Sequence, residues 1–173
     1  SVIGFSMEEM REMVSYYKGE GALPADVTVD GLIETMRPWY DNYCFSSWNL
    51  DEKVFNSDMA LYFLNSYLLR KRAPEMMIDS NIRTDYSKLR HLVQIDKRFG
   101  ANASVIQQIV AEGSITTNIA TSFPAEKMTD TENFKSLLFY FGMLSIQGVY
   151  RGTPVLGIPN LTVREQLLSL IHI

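Results

Sequence analysis

The sequence predicts a mainly α-helical protein with a small β part. It is an α+β fold in which helices precede a strand, a further helix and a β-hairpin. Three observations carry this expectation. Apolar residues recur at helical spacing through most of the chain. One stretch, SITTNIATSF, alternates β-branched residues. Near the end, two short apolar runs flank GVYRGT, and an amphipathic helical pattern follows.

The first helix starts at SMEEMREMVSYYKGEG. Ser6 is placed to cap, Glu9 stands three residues on as its capping-box partner, and Gly19 or Gly21 stops the run. Met10, Met13, Val14 and Tyr17 share one face. A second helix, Val29 to Arg37, is expected to end before Pro38, because the residue preceding a proline is pushed out of the α region. Asn56 or Ser57 caps the next helix, DMALYFLNSYLLRKR. Its Met59, Leu61, Tyr62, Leu64, Tyr67 and Leu68 are too dense for a one-sided surface, which predicts a central helix closed by Pro74. Thr84 opens a helix with Leu89, Leu92 and Val93 on its face, and Ala103 to Glu112 forms another that Gly113 ends.

Residues 114–123 read as a strand, with Ile115, Thr117, Ile119 and Thr121 alternating and Pro124 ending it. A capped helix from Thr131 to Phe141 follows. MLSIQ and PVLGIPN then form a hairpin with a turn of several residues, in which Pro159 suits only a strand end. Asn160 or Thr162 begins a last helix, with Val163, Leu167, Leu168 and Leu170 apolar. Helix, hairpin and helix, preceded by a strand and more helices, is the order of a winged-helix-like module. The chain ends at LSLIHI, inside an amphipathic pattern, which points to a continuation.

Composition is that of a folded globular protein: 46% hydrophobic, 12% aromatic, net charge −4 over 173 residues, enough for one sizeable core or two small ones. The single cysteine, Cys44, cannot form an internal disulfide, which favours a cytoplasmic location. No long apolar run suggests a membrane partner, and SVIGFSMEEMREM has neither part of a signal peptide. Charge is uneven: residues 1–58 hold four Lys/Arg against eleven Asp/Glu, whereas residues 70–98 hold eight against four. Arg70, Lys71, Arg72, Arg83, Lys88, Arg90, Lys97 and Arg98 are therefore the candidate nucleic-acid contacts. Eight basic residues over 29 positions are not a dense patch, however, and pairing with the acidic segment or plain solvation is favoured.

Catalytic sets are missing. There is no G-x-x-x-x-G-K-[ST], so no phosphate-cradling loop lies in these residues. Two histidines, His91 and His172, and one cysteine assemble no familiar zinc spacing. Cys44 between Tyr43 and Phe45 reads as a small buried hydrophobe rather than a nucleophile paired with His91. Asp51-Glu52-Lys53 and Glu126-Lys127 superficially match the acid-acid-lysine sets of metal-dependent nucleases. Their loop and post-proline settings favour solvated charge. The aromatic stretch WYDNYCFSSW, residues 39–48, has acidic neighbours, which disfavours base stacking. Its YDNY reads as a tight turn pinned by rings, since Asp and Asn tolerate turns.

GFSMEEMREMVSYY, WYDNYCFS, FNSDMALYFL, DSNIRTDYSKLRHLV, TSFPAEKMTDTENFKSLLFYFGMLSI and IPNLTVREQLL, in this order and spacing, together resemble the Bacteroidetes-type AAA-ATPase-like family. In that family a P-loop ATPase is followed by a nuclease-like domain of the PD-(D/E)XK type. The chain resembles the region after the ATPase core, which implies a helical lid-like segment, residues 1–50, followed by a helical and winged-helix-like region with a β-hairpin, residues 51–173. The resemblance implies no catalytic residue, no cofactor and no metal in this chain, with ATP and Mg²⁺ belonging to the parent protein. It implies the ATPase core and the nuclease-like domain as partners, with nucleic acid the alternative. It also implies that Trp39, Tyr40, Asp41, Asn42 and Tyr43 form a structural hinge, with Asp41 on the nucleotide side. Relatives carry Gly where this chain has Asn42, a mild departure because Asn also tolerates a positive φ.

Overall fold

Nine elements are laid out along the chain in a mixed α+β order. They are α1 (Met7–Gly19), α2 (Val29–Tyr40), α3 (Ser57–Arg70), α4 (Ala101–Glu112), β1 (Ser114–Thr116), α5 (Thr131–Tyr140), β2 (Ser145–Tyr150), β3 (Thr153–Gly157) and α6 (Leu161–Ile171). This computed structural model describes residues 4–79, 81, 90, 91, 101–122, 127 and 130–171, and the count refers to those. The helix opened by Thr84 lies outside the described residues. So do Pro124 and the Glu126 of the second acid-lysine pair.

Helix starts follow local capping chemistry. Ser6 Oγ accepts from Glu9 N at 3.1 Å, and the Glu9 carboxylate accepts from Ser6 N at 2.8 Å, completing a capping box at α1. Thr28, Asn56, Asp130 and Asn160 each accept from a backbone N–H in the first turn of α2, α3, α5 and α6. Gly113, with φ of 81°, ends α4 as expected.

Several sequence expectations are corrected. Helix α2 runs through Pro38 to Tyr40. Proline forfeits one bond to the preceding turn, but continuing the helix carries Tyr40 into a fully buried site beside Phe63, with ring centroids 6.1 Å apart. Helix α3 is not central. It buries only Met59, Ala60, Phe63 and Leu64, leaves Leu61 45% exposed, and ends at Arg70 with Lys71 in the left-handed region, before Pro74. The hairpin turn is only two residues, Arg151 and Gly152, with φ of 50° and 81°, the positive-φ pair that matches strand twist.

The strand expected over 114–123 stops at Thr116. Its partner decides this. The antiparallel sheet has the order β1-β3-β2, with Ile115 opposite Leu156 and Thr116 opposite Val155. One step further, Thr117 N donates to Pro154 O, but Pro154 has no N–H to return the bond, so the ladder ends there.

Two apolar clusters result. The first joins α1, α2 and α3 through Met10, Val14, Ile33, Met36, Tyr40, Phe55 and Phe63, and extends to Ile78. The second packs α4, α5 and α6 on the sheet through Ile106, Ile109, Phe134, Leu138, Leu156, Val163 and Leu167. It also takes Tyr43, Cys44 and Val54 from the N-terminal third. Helix α3 thus packs with α1 and α2, so the clusters do not divide the chain at residue 50.

Burial in the first cluster, aided by nearby Tyr62, raises the Tyr40 phenol well above its ordinary value of 10. The folded state then favours the neutral ring. The Tyr40 contribution to stability is complete below about pH 10 and declines as pH rises from there toward the folded value. Urea midpoints measured from about pH 8 to 11 should fall more steeply for wild type than for Tyr40→Phe. That variant should still fall somewhat, because burial also raises Tyr43.

Candidate functional site

The chain passes between the two clusters at residues 41–43 and returns at 54–55. Side-chain alternation makes the crossing: Val54 belongs to the second cluster and Phe55 to the first. Tyr43 and Val54 form an antiparallel bridge, with N–H···O distances of 3.1 and 2.9 Å, and Asn56 N donates to Tyr40 O at 2.8 Å. The crossing is therefore two-stranded.

Asn42 takes φ of 82°. Only Gly, Asn and Asp enter this region cheaply, which accounts physically for an Asn at a turn position suited to Gly. The residue then uses its backbone N–H, its backbone carbonyl and its side-chain amide nitrogen. Its backbone N–H donates to Asp41 Oδ1 at 2.6 Å, its side-chain Nδ2 donates to Pro159 O at 3.0 Å, and its carbonyl accepts from Ser145 Oγ at 3.0 Å. Asn160 Nδ2 donates to Asp41 O at 2.9 Å while its Oδ1 caps α6. Buried Ser145 also accepts from Cys44 N at 2.7 Å, and Ile146 N donates to Cys44 O at 3.0 Å. The five sequence-predicted hinge residues thus occupy one continuous junction. Trp39 and Tyr40 are the last turn of α2, Asp41 is its C-cap, and Asn42 and Tyr43 follow. Rings contribute, with Tyr43 stacked on Phe45 at 6.1 Å, but hydrogen bonds to residues more than 100 positions away pin the turn.

An open cleft of about 390 Å³ borders the junction, formed by Glu34, Arg37, Asp41, Asn42, Lys53 and Pro159 together with Pro38. Arg37 is within 3.2 Å of Glu34 and 3.5 Å of Asp41, so its guanidinium neutralises both carboxylates. The cleft's polar lining is two carboxylates, two cations and an amide. Cys44 is buried, with its thiol donating to Ser46 O at 3.3 Å, as expected of a small hydrophobe. Asp51, Glu52 and Lys53 are exposed in a loop, where Glu52 accepts from Asn49 Nδ2. Among the described residues no three His, Cys, Asp or Glu side chains converge as metal ligands.

Four of the eight basic candidates fall on described residues. Arg70 ends α3, Lys71 Nζ donates to Ala22 O, Arg72 pairs with Glu75 at 3.6 Å, and Arg90 is exposed. Arg83, Lys88, Lys97 and Arg98 lie outside the described residues. Ser145 and Pro159 were not legible as functional positions, because their contacts depend on distant backbone. Asn160 was legible only as a helix cap.

Among the described residues no helix is long and apolar enough to cross a membrane. The molecule is a mixed α+β protein with a hydrogen-bonded junction between two cores. Comparison with protein-family models, curated proteins and solved structures finds no match to this chain.

Proposed function

We propose that the chain is a non-catalytic regulatory and interaction segment of an AAA-type ATPase, coupling the nucleotide state of the ATPase core to a following effector domain. The observation that supports this is the junction at Asp41 and Asn42. A turn clamped to Ser145, Pro159 and Asn160 transmits a displacement of one apolar cluster to the other instead of absorbing it. ATP and Mg²⁺ belong to the parent protein in this reading, and the setting is cytoplasmic.

The test has two stages. Coding sequence upstream should contain G-x-x-x-x-G-K-[ST]. In the intact protein, Asp41→Ala and Asn160→Ala should change ATP turnover severalfold while thermal unfolding remains cooperative. A missing P-loop, or turnover unaltered by both substitutions, overturns the proposal.

A winged-helix-like nucleic-acid-binding module is the second reading. It is favoured by one observation: helix, strand, helix and hairpin occur with the three strands in the order β1-β3-β2. Its signature is duplex-DNA affinity that falls steeply with salt, with a log-log slope of about −0.9 per phosphate contacted. The slope should shrink when Arg70, Lys71 and Arg72 become Ala.

A further inference from the structure

Tyr43 sits in the second cluster, 6% exposed, with its backbone bridged to Val54 in both directions. Its hydroxyl meets the side chains of Asn160 and Asn56. Burial raises the phenol pKa, and the two amides oppose that rise, which is the sign of N–H donors facing a phenol oxygen. Each of these asparagines also starts a helix. Asn56 Oδ1 accepts from Met59 N at 3.0 Å in the first turn of α3, and Asn160 Oδ1 accepts from Val163 N at 3.1 Å in the first turn of α6.

The chemistry of an amide makes these contacts interdependent. Asparagine has one acceptor end and one donor end, and only one orientation serves a cap. With Oδ1 turned to its helix, each Nδ2 is left to donate. That of Asn160 gives one hydrogen to Asp41 O at 2.9 Å and has a second for Tyr43, and Asn56 turns the same end to the phenol. Reversing either amide forfeits its cap and its bond to Tyr43 together. The helices served belong to different cores, since Met59 lies in the first cluster and Val163 in the second.

We infer that the Tyr43 hydroxyl is a positioning group shared by two helix starts, so that freeing the first turn of α3 loosens the first turn of α6, and the reverse. The effect is reciprocal, as any linkage between two sites must be. It goes beyond the clamp at Asn42 and Ser145, which fixes backbone in place, because here one side chain sets the orientation of two caps. It does not rest on the ATPase-coupling reading, since it needs no nucleotide and no other domain.

Amide hydrogen exchange, read residue by residue, tests this. Asn56→Ser keeps a capping oxygen at α3 but has no amide to reach Tyr43. In that variant Met59 N–H should keep most of its protection. Val163 N–H, in the other cluster, should exchange about fivefold faster or more, measured against Phe134 N–H, which bonds to Asp130 O on α5. Asn160→Ser should quicken Met59 N–H in the same way. Tyr43→Phe keeps the ring and removes only the hydroxyl, and in that background neither serine substitution should act across the crossing. Val163 exchange unchanged in Asn56→Ser, or cross-effects that survive in Tyr43→Phe, overturn the inference. Should Tyr43→Phe fail to fold, the two serine variants alone decide by the presence or absence of the cross-effect. Unaltered ATP turnover in the intact protein would sink the coupling proposal and leave these exchange rates as they are, so the two fail separately.

Discussion

Replacing Phe134 with Ala is expected to remove about 3–5 kcal/mol of stability, the range for deleting a fully buried phenyl ring. Phe134 is 0% exposed on α5, in the cluster that α4, α6 and the sheet share. The informative part is where the loss is felt. Trp39 is packed against the other cluster, and Trp48 is 97% exposed, so an intrinsic fluorescence change on unfolding comes mainly from Trp39. If the junction joins the clusters into one cooperative unit, urea melts followed by Trp39 fluorescence and by circular dichroism should shift together in Phe134→Ala. An unshifted Trp39 transition would show that the clusters unfold independently and that the junction transmits little.

Ser145→Ala is expected to cost about 2–3 kcal/mol, far more than a serine hydroxyl usually contributes, because two partners are orphaned at once. Cys44 N–H loses its acceptor and Asn42 C=O loses its donor in a site where Ser145 is 1% exposed. Alanine fits the space, so the deficit is one of hydrogen bonding rather than packing. Asn160→Ala removes both the α6 cap and the bond to Asp41 O. Both substitutions release the same short backbone segment, so the double variant should lose less than the sum of the singles. Strict additivity in chemical denaturation would mean that the clamp is a set of independent contacts.

Residues that act within a few positions of themselves were legible in the sequence. The Ser6–Glu9 box, the caps at Asn56 and Asn160, and Gly113 after α4 could be named because each partner is at most a turn away. Asp41 and Asn42 were legible as turn residues for the same reason, since Asp and Asn next to rings describe local chemistry, whereas Trp39 and Tyr40, expected in the same loop, continue α2. What pins that turn was not legible. Ser145, Pro159 and Asn160 lie over 100 residues away, and their separation in sequence carries no trace of contact. Which residues of α3 are buried was also not legible, because composition does not say which face a helix turns inward. Leu61 and Leu64 read alike, yet one is 45% exposed and the other 1%.

By itself the sequence determined the mixed α+β class, the caps that start α1, α3 and α6, the location of the hairpin and the acidic character of the first third. These follow from short-range sterics, capping and charge. Tertiary structure alone decided the continuation of α2 through Pro38, the length of β1, and the clamp between the clusters. Burial of Tyr40 offsets one missing helical hydrogen bond. Pro154 on the neighbouring strand ends the ladder at Thr117. Asn42 holds its left-handed turn with partners that reach it only after the whole chain has folded, because hydrogen bonds across such distances form only once the cores that carry them have packed.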